Sequence, residues 1–100
     1  MEKLRQILIE LGFSDFTSVL KPTHFHFNKS IDFNLGKWNF DVYYIKKTNI
    51  IRISSHYNSH YNGIQQRKEI KKPFSIKFED KNYVISLLKE VSGDRYKENM

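Results

Sequence analysis

The chain has 100 residues and 17 Lys and Arg against 11 Asp and Glu, a net charge of +6. One domain of this length buries about two thirds of its unfolded surface, enough for a core without staples. With no cysteine, disulfides, thiol catalysis and cysteine-based metal sites are excluded, and no apolar run is long enough to span a membrane.

Leu4, Ile7, Leu8 and Leu11 recur at i, i+3, i+4 and i+7, which predicts a helix over residues 2–11. Its first residues carry no signal-peptide apolar region, so a cytoplasmic protein is expected. Gly12 suits a left-handed helix end, with Phe13 folding back on the last turn. The stretch from Asp15 to Leu20 reads equally as a helical turn or a short strand, closed by Lys21-Pro22.

From Phe25 the period becomes two. Phe25, Phe27, Ile31, Phe33 and Leu35 alternate with polar residues, and Lys29 interrupts the apolar side, which leaves Asn28-Lys29-Ser30 open as a three-residue turn. Gly36-Lys37 has the glycine first, as a type II′ hairpin turn requires. That turn pairs Leu35 with Trp38, Phe33 with Phe40 and Ile31 with Val42, apolar against apolar throughout. The loop Lys46-Lys47-Thr48-Asn49 then pairs Tyr44 with Ile51 and Val42 with Ile53. A one-residue slip would set Tyr44 against Arg52 and is rejected.

Residues 57–72 fit neither period. They include most of a tandem repeat, Ser55-His56-Tyr57-Asn58 and Ser59-His60-Tyr61-Asn62, and are expected to form a basic mobile loop. A further strand is expected through Phe74, Ile76 and Phe78. Asp80 then caps a helix whose Tyr83, Val84, Leu87, Leu88 and Val91 form one face, ended by Gly93. Residues 94–100 read as a disordered tail. The expectation is one α+β domain over residues 1–93. It is a two-layer sandwich of four to five mostly antiparallel strands, with both helices on one face.

The charge is unevenly placed. Residues 1–35 and 73–100 each balance, so the whole +6 lies in residues 36–72. That stretch also carries Trp38, Phe40, Tyr43, Tyr44, Tyr57 and Tyr61. Cations neutralise phosphates and exposed aromatics stack on unpaired bases. Alternation assigns Trp38, Phe40 and Tyr44 to the core. The residues expected to contact nucleic acid or a nucleoprotein are therefore Tyr43, Lys46, Lys47, Arg52, His56, Tyr57, Tyr61, Arg67, Lys68, Lys71 and Lys72. A plain alternative is a solvated basic edge whose lysines prevent sheet-to-sheet aggregation.

The predicted register sets Asp32 opposite Asp41, and a hairpin over residues 25–33, if formed, sets His26 opposite Asp32. The rival reading is thus a metal site made of Asp32, Asp41 and His26, acting on phosphodiesters. His24 and His26 share a strand face, whereas His56 and His60, four apart, do not fall on a helix. No nuclease signature, Gly-rich phosphate loop, GXXG, RNP-type aromatic motif or nucleophile elbow is present, and no cofactor or catalytic residue is expected. A protein-only adaptor or antidote is a second rival, and antidotes to basic nucleases should be acidic.

The hexapeptide Ile51-Arg52-Ile53-Ser54-Ser55-His56 resembles a short strand ending of some phage and plasmid proteins. In overall type, a small basic α+β domain without a catalytic motif, the chain is similar to mobile-element inhibitors of bacterial defence such as anti-CRISPR proteins. That resemblance carries no residue roles. It implies a partner such as an RNA-guided nuclease or its guide RNA. The expected function is a non-enzymatic basic binder of nucleic acid, RNA favoured, or of a nucleoprotein, with no membrane partner.

Overall fold

The computed structural model describes residues 1–21, 23–33, 35–59, 63–93 and 96, with backbone alone for 63–67. The first helix, α1 (Glu2–Glu10), buries Leu4, Ile7 and Leu8. Gly12 follows at φ 91, and the Phe13 amide donates to the Leu8 carbonyl. Five antiparallel strands succeed one another as neighbours, β1 (Ser14–Asp15), β2 (His24–Phe33), β3 (Gly36–Ile45), β4 (Ile50–Ser59) and β5 (Gly63–Pro73). A 3₁₀ turn, Ile76–Glu79, leads into α2 (Lys81–Ser92). Asp80 caps α2 by accepting from the Asn82 amide, and Gly93 ends it at φ 60. This is the expected α+β arrangement, with five strands.

One side of the sheet carries Phe27, Ile31, Trp38, Phe40, Val42, Tyr44, Ile51 and Ile53, and both helices close on it in a single core. On that face Ser55 donates to the Val91 carbonyl of α2, and the Lys29 amine donates to the Leu11 carbonyl at 2.7 Å. The opposite face carries His26, Asn28, Asn39, Asp41, Tyr43, Arg52 and His56, and no helix among the described residues covers it.

The β3–β4 register is the expected one, with Tyr44 opposite Ile51 and Val42 opposite Ile53. The β2–β3 register differs. Phe33 faces Gly36, Ile31 faces Trp38 and Phe27 faces Val42, so the chain reverses between Phe33 and Gly36, with Leu35 at φ 61. The expected and observed registers differ by four positions. An even offset leaves every side chain on its own face, so matching apolar to apolar cannot tell the two apart. Close approach gives Gly36 its role: a Cβ there would clash with the Asn58 carbonyl oxygen of β4. Lys29 is accordingly mid-strand and only 5% exposed, not part of a turn.

Three other expectations are corrected. Most of the expected loop 57–72 is strand: β4 runs to Ser59 and β5 begins at Gly63. A bulge between Ser55 and His56, with Arg67 the extra residue of β5, breaks the alternation and hid the strand from a periodicity argument. The expected strand at 74–78 is absent. Phe74 and Phe78 stack at 5.9 Å across the 3₁₀ turn, which leaves Ile76 79% exposed. Lastly, Tyr96 is no part of a loose tail. It is 2% exposed, meets Phe40 edge-on at 5.3 Å and lies under the Lys29 amine at 4.9 Å. The remainder of 94–100 lies outside the described residues.

Candidate nucleic-acid interface

The uncovered face is organised around Asp41. β3 is flanked by β2 and β4, so Asp41 has Asn28 on one side and Ser54 on the other. Its carboxylate accepts from Asn28 Nδ2 at 3.0 Å, lies 3.0 Å from His26 Nε2 and lies 3.5 Å from His56 Nδ1. At 7% exposure these partners replace the water that Asp41 has lost.

The Asp32–Asp41 pair does not form. Asp32 faces Lys37, four residues along β2 from the partner of Asp41, which at 3.3 Å per residue is about 13 Å away. His26 faces Tyr43, not Asp32. Among the described residues no group of three or more His, Asp or Glu is arranged to hold a metal ion. The metal site expected from Asp32, Asp41 and His26 is therefore corrected to an imidazole- and amide-bound carboxylate at Asp41.

One step along the sheet, His26, Tyr43 and Arg52 stand in a row across three strands. The His26 and Tyr43 rings stack at 4.2 Å and 9°, and the Arg52 guanidinium lies 4.5 Å from the Tyr43 centroid. Phe16, just beyond β1, continues the row at 5.8 Å from His26. Tyr43 is thus occupied on both ring faces. Burial, with the Asp41 carboxylate adding and Arg52 opposing, raises its phenol pKa, so it stays protonated at neutral pH.

Phe16 is held by its neighbours on both sides in sequence. Its amide donates to the His26 carbonyl at 2.8 Å. The Asp15 carboxylate accepts from the Thr17 amide at 2.9 Å and forms an ion pair with the Arg5 guanidinium at 3.1 Å, and Thr17 Oγ1 accepts from the His26 amide at 3.2 Å. Burial alone would raise the Asp15 carboxyl; the hydrogen bonds from Thr17, together with the Arg5 guanidinium, outweigh it and leave the pKa lowered. The result is a backbone held in place at Phe16 with the residue 59% exposed.

Beside this row lies a groove of about 590 Å³ lined by residues of β2, β3, β4 and β5 and by the segment leading from β1 into β2. Phe16, Phe25, Tyr43, Ile45 and Ile50 supply its apolar wall, while Lys21, Arg52 and Lys71 supply charge. No Asp or Glu is among its lining residues. Both Arg52 and Lys71 approach Glu69, at 3.7 and 3.8 Å, too far for strong pairing. Arg52 Nε makes no hydrogen bond.

Of the residues expected to bind, Tyr43, Arg52 and Lys71 meet at this groove. The exposed turn carrying Lys46 and Lys47 adjoins it, between the lining residues Ile45 and Thr48, and the Lys46 amide is tied to the Thr23 carbonyl at 2.9 Å. His56 belongs to the Asp41 cluster instead. Tyr57 lies on the helix side against Trp38 and Phe33, which corrects its assignment as an exposed stacking residue. Lys68 and Lys72 share their register rows with Ser55 and Ile51 of the covered face, and Lys68 reaches Glu90 of α2 at 3.9 Å. Tyr61, His60 and the Arg67 side chain lie outside the described residues. Sequence reasoning missed Phe16, Lys21 and His24 as groove residues, because only the antiparallel return of β2 brings that segment to the sheet end.

Compared with protein-family models, with curated proteins and with solved structures, the chain matches none. The functional reading therefore rests on the geometry alone.

Proposed function

We propose that this protein binds single-stranded nucleic acid, RNA in particular, at the groove end of its open sheet face. It acts as a binding module and not as a phosphodiesterase. What supports the reading is the groove lining: three cations, aromatic and aliphatic walls, and no carboxylate. Phosphates are attracted by Lys21, Arg52, Lys71 and the Lys46-Lys47 turn, and unpaired bases find apolar walls to leave water against. Ser18, Thr48 and the protonated Tyr43 line the same groove, and their hydroxyls suit a 2′-hydroxyl.

Fluorescence anisotropy with labelled single- and double-stranded RNA and DNA, across a salt series, tests this. Single-stranded RNA should bind tightest, with a steep slope of log affinity against log salt. The Arg52→Ala and Lys71→Ala changes should each flatten that slope by about 0.7, the share of one phosphate contact on a single strand. Equal slopes for wild type and the double variant would defeat the proposal.

A nucleoprotein partner is the second reading, and one observation favours it. Val19 and Leu20, on the segment that borders the groove, are 92% and 88% exposed, and aliphatic side chains gain from a protein surface, not from phosphates. This is the kind of partner implied by the resemblance to inhibitors of RNA-guided nucleases. Pull-down from a host lysate with and without ribonuclease separates the two readings, since a protein contact survives digestion of the RNA.

A further inference from the structure

Within that nucleic-acid reading, on which this step rests, the groove has room and chemistry for one defined unit. We infer that it is a single-nucleotide pocket, which stacks one unpaired base on the outer face of Phe16 and holds the attached phosphate with Lys21, Arg52 and Lys71. The volume of about 590 Å³ falls in the range of small-ligand pockets, roughly 300–1,000 Å³, and is too confined for a duplex.

Phe16, not Tyr43, is the stacking platform. The two ring faces of Tyr43 are taken by His26 and Arg52, so a base could reach it only by dismantling the row. Phe16 has His26 on one side and remains 59% exposed. The hydrogen bonds around Asp15, Thr17 and His26 hold its backbone before any ligand arrives, so little conformational entropy is lost on binding. An exposed phenyl ring beside a groove whose lining holds three cations and no carboxylate suits a ligand that is both planar and anionic. A free phosphate would leave the ring uncovered, and a neutral base would leave the cations unused.

The test is a titration of isotope-labelled protein, followed by amide and side-chain NMR, with adenosine and uridine monophosphate, the matching nucleosides and inorganic phosphate. The monophosphates should saturate with shifts centred on Phe16, Tyr43 and Arg52, at least tenfold tighter than nucleoside or phosphate alone. Phe16→Ala should weaken monophosphate binding on the order of tenfold, the scale of one base–aromatic stack, while Phe16→Trp should retain it. The Trp variant keeps the test valid if the Ala variant misfolds. Phosphate binding as tight as the monophosphates, or affinity unchanged in Phe16→Ala, would overturn the pocket. If oligonucleotides bind with a steep salt slope and no monophosphate shifts the groove, the pocket is wrong and the strand-binding proposal stands. If neither binds, both fall.

Discussion

Among the described residues each face of the sheet hides one charged residue, and the two are handled differently. On the helix-covered face Lys29 is 5% exposed, with its amine on the Leu11 carbonyl and over the Tyr96 ring. On the open face Asp41 is 7% exposed, with its carboxylate among Asn28, His26 and His56. Lys29 joins three separate parts of the chain, the end of α1, β2 and Tyr96, so its interactions hold the fold together. Asp41 joins neighbouring strands only, and its partners are side chains that also form the open surface. A buried polar group must be hydrogen-bonded on either face. What differs is how much structure depends on it.

The largest expected effect breaks the covered side. Tyr96→Ala removes a buried ring from Phe40 and Lys29 and should destabilise the protein by about 3–5 kcal/mol, measured by urea unfolding. A loss below about 1 kcal/mol would mean that the segment after α2 only rests on the core. On the open face, Asp41→Ala removes the acceptor shared by the Asn28 amide and the His26 imidazole, leaves Asn28 Nδ2 only its longer bond to the Phe40 carbonyl at 3.3 Å, and should cost about 1–2 kcal/mol. Asp41→Asn keeps an acceptor and should cost less. If the two variants lose equal stability, the carboxylate charge and not its accepting geometry holds the cluster.

The smallest effect concerns Asp15. Its pKa is lowered in the folded protein from the ordinary 3.8, so the stability it contributes is fully present above that value. It is lost as pH falls through the folded value. Acid titration of the fold should therefore show an Asp15-dependent loss only below about pH 3.8, absent in Asp15→Asn. Loss of the Phe16 ring position at a higher pH would separate the Phe16 segment from Asp15. At the alkaline end, the raised Tyr43 pKa predicts the opposite sign. The phenol stays neutral in the fold while the unfolded chain ionises, so stability declines as pH rises past the unfolded value near 10.

The helices were legible because their signals are local. Leu4, Ile7 and Leu8 declare a face within two turns, and Asp80 and Gly93 cap α2 within one turn of its ends. The β3–β4 register was legible because a one-residue slip would have reversed the faces. Part of the candidate site was legible for the same reason: alternation puts Tyr43, Arg52 and Asp41 on the open side. Phe16 was not, because the two-residue β1 carries no period and its place comes from pairing with Asn28 and Phe27.

By itself, then, the sequence determined the α+β class, the two caps, the faces of β3 and of β4 up to His56, and the concentration of charge in residues 36–72. Tertiary structure alone decided the β2–β3 register, the strand at Gly63–Pro73, the burial of Tyr96 and the assembly of the groove. The physical reason is periodicity. A period of two records which face a side chain takes and is silent on even offsets along a strand. Only contacts between distant segments, such as Gly36 against Asn58 and Lys29 against Leu11, select one offset from the rest.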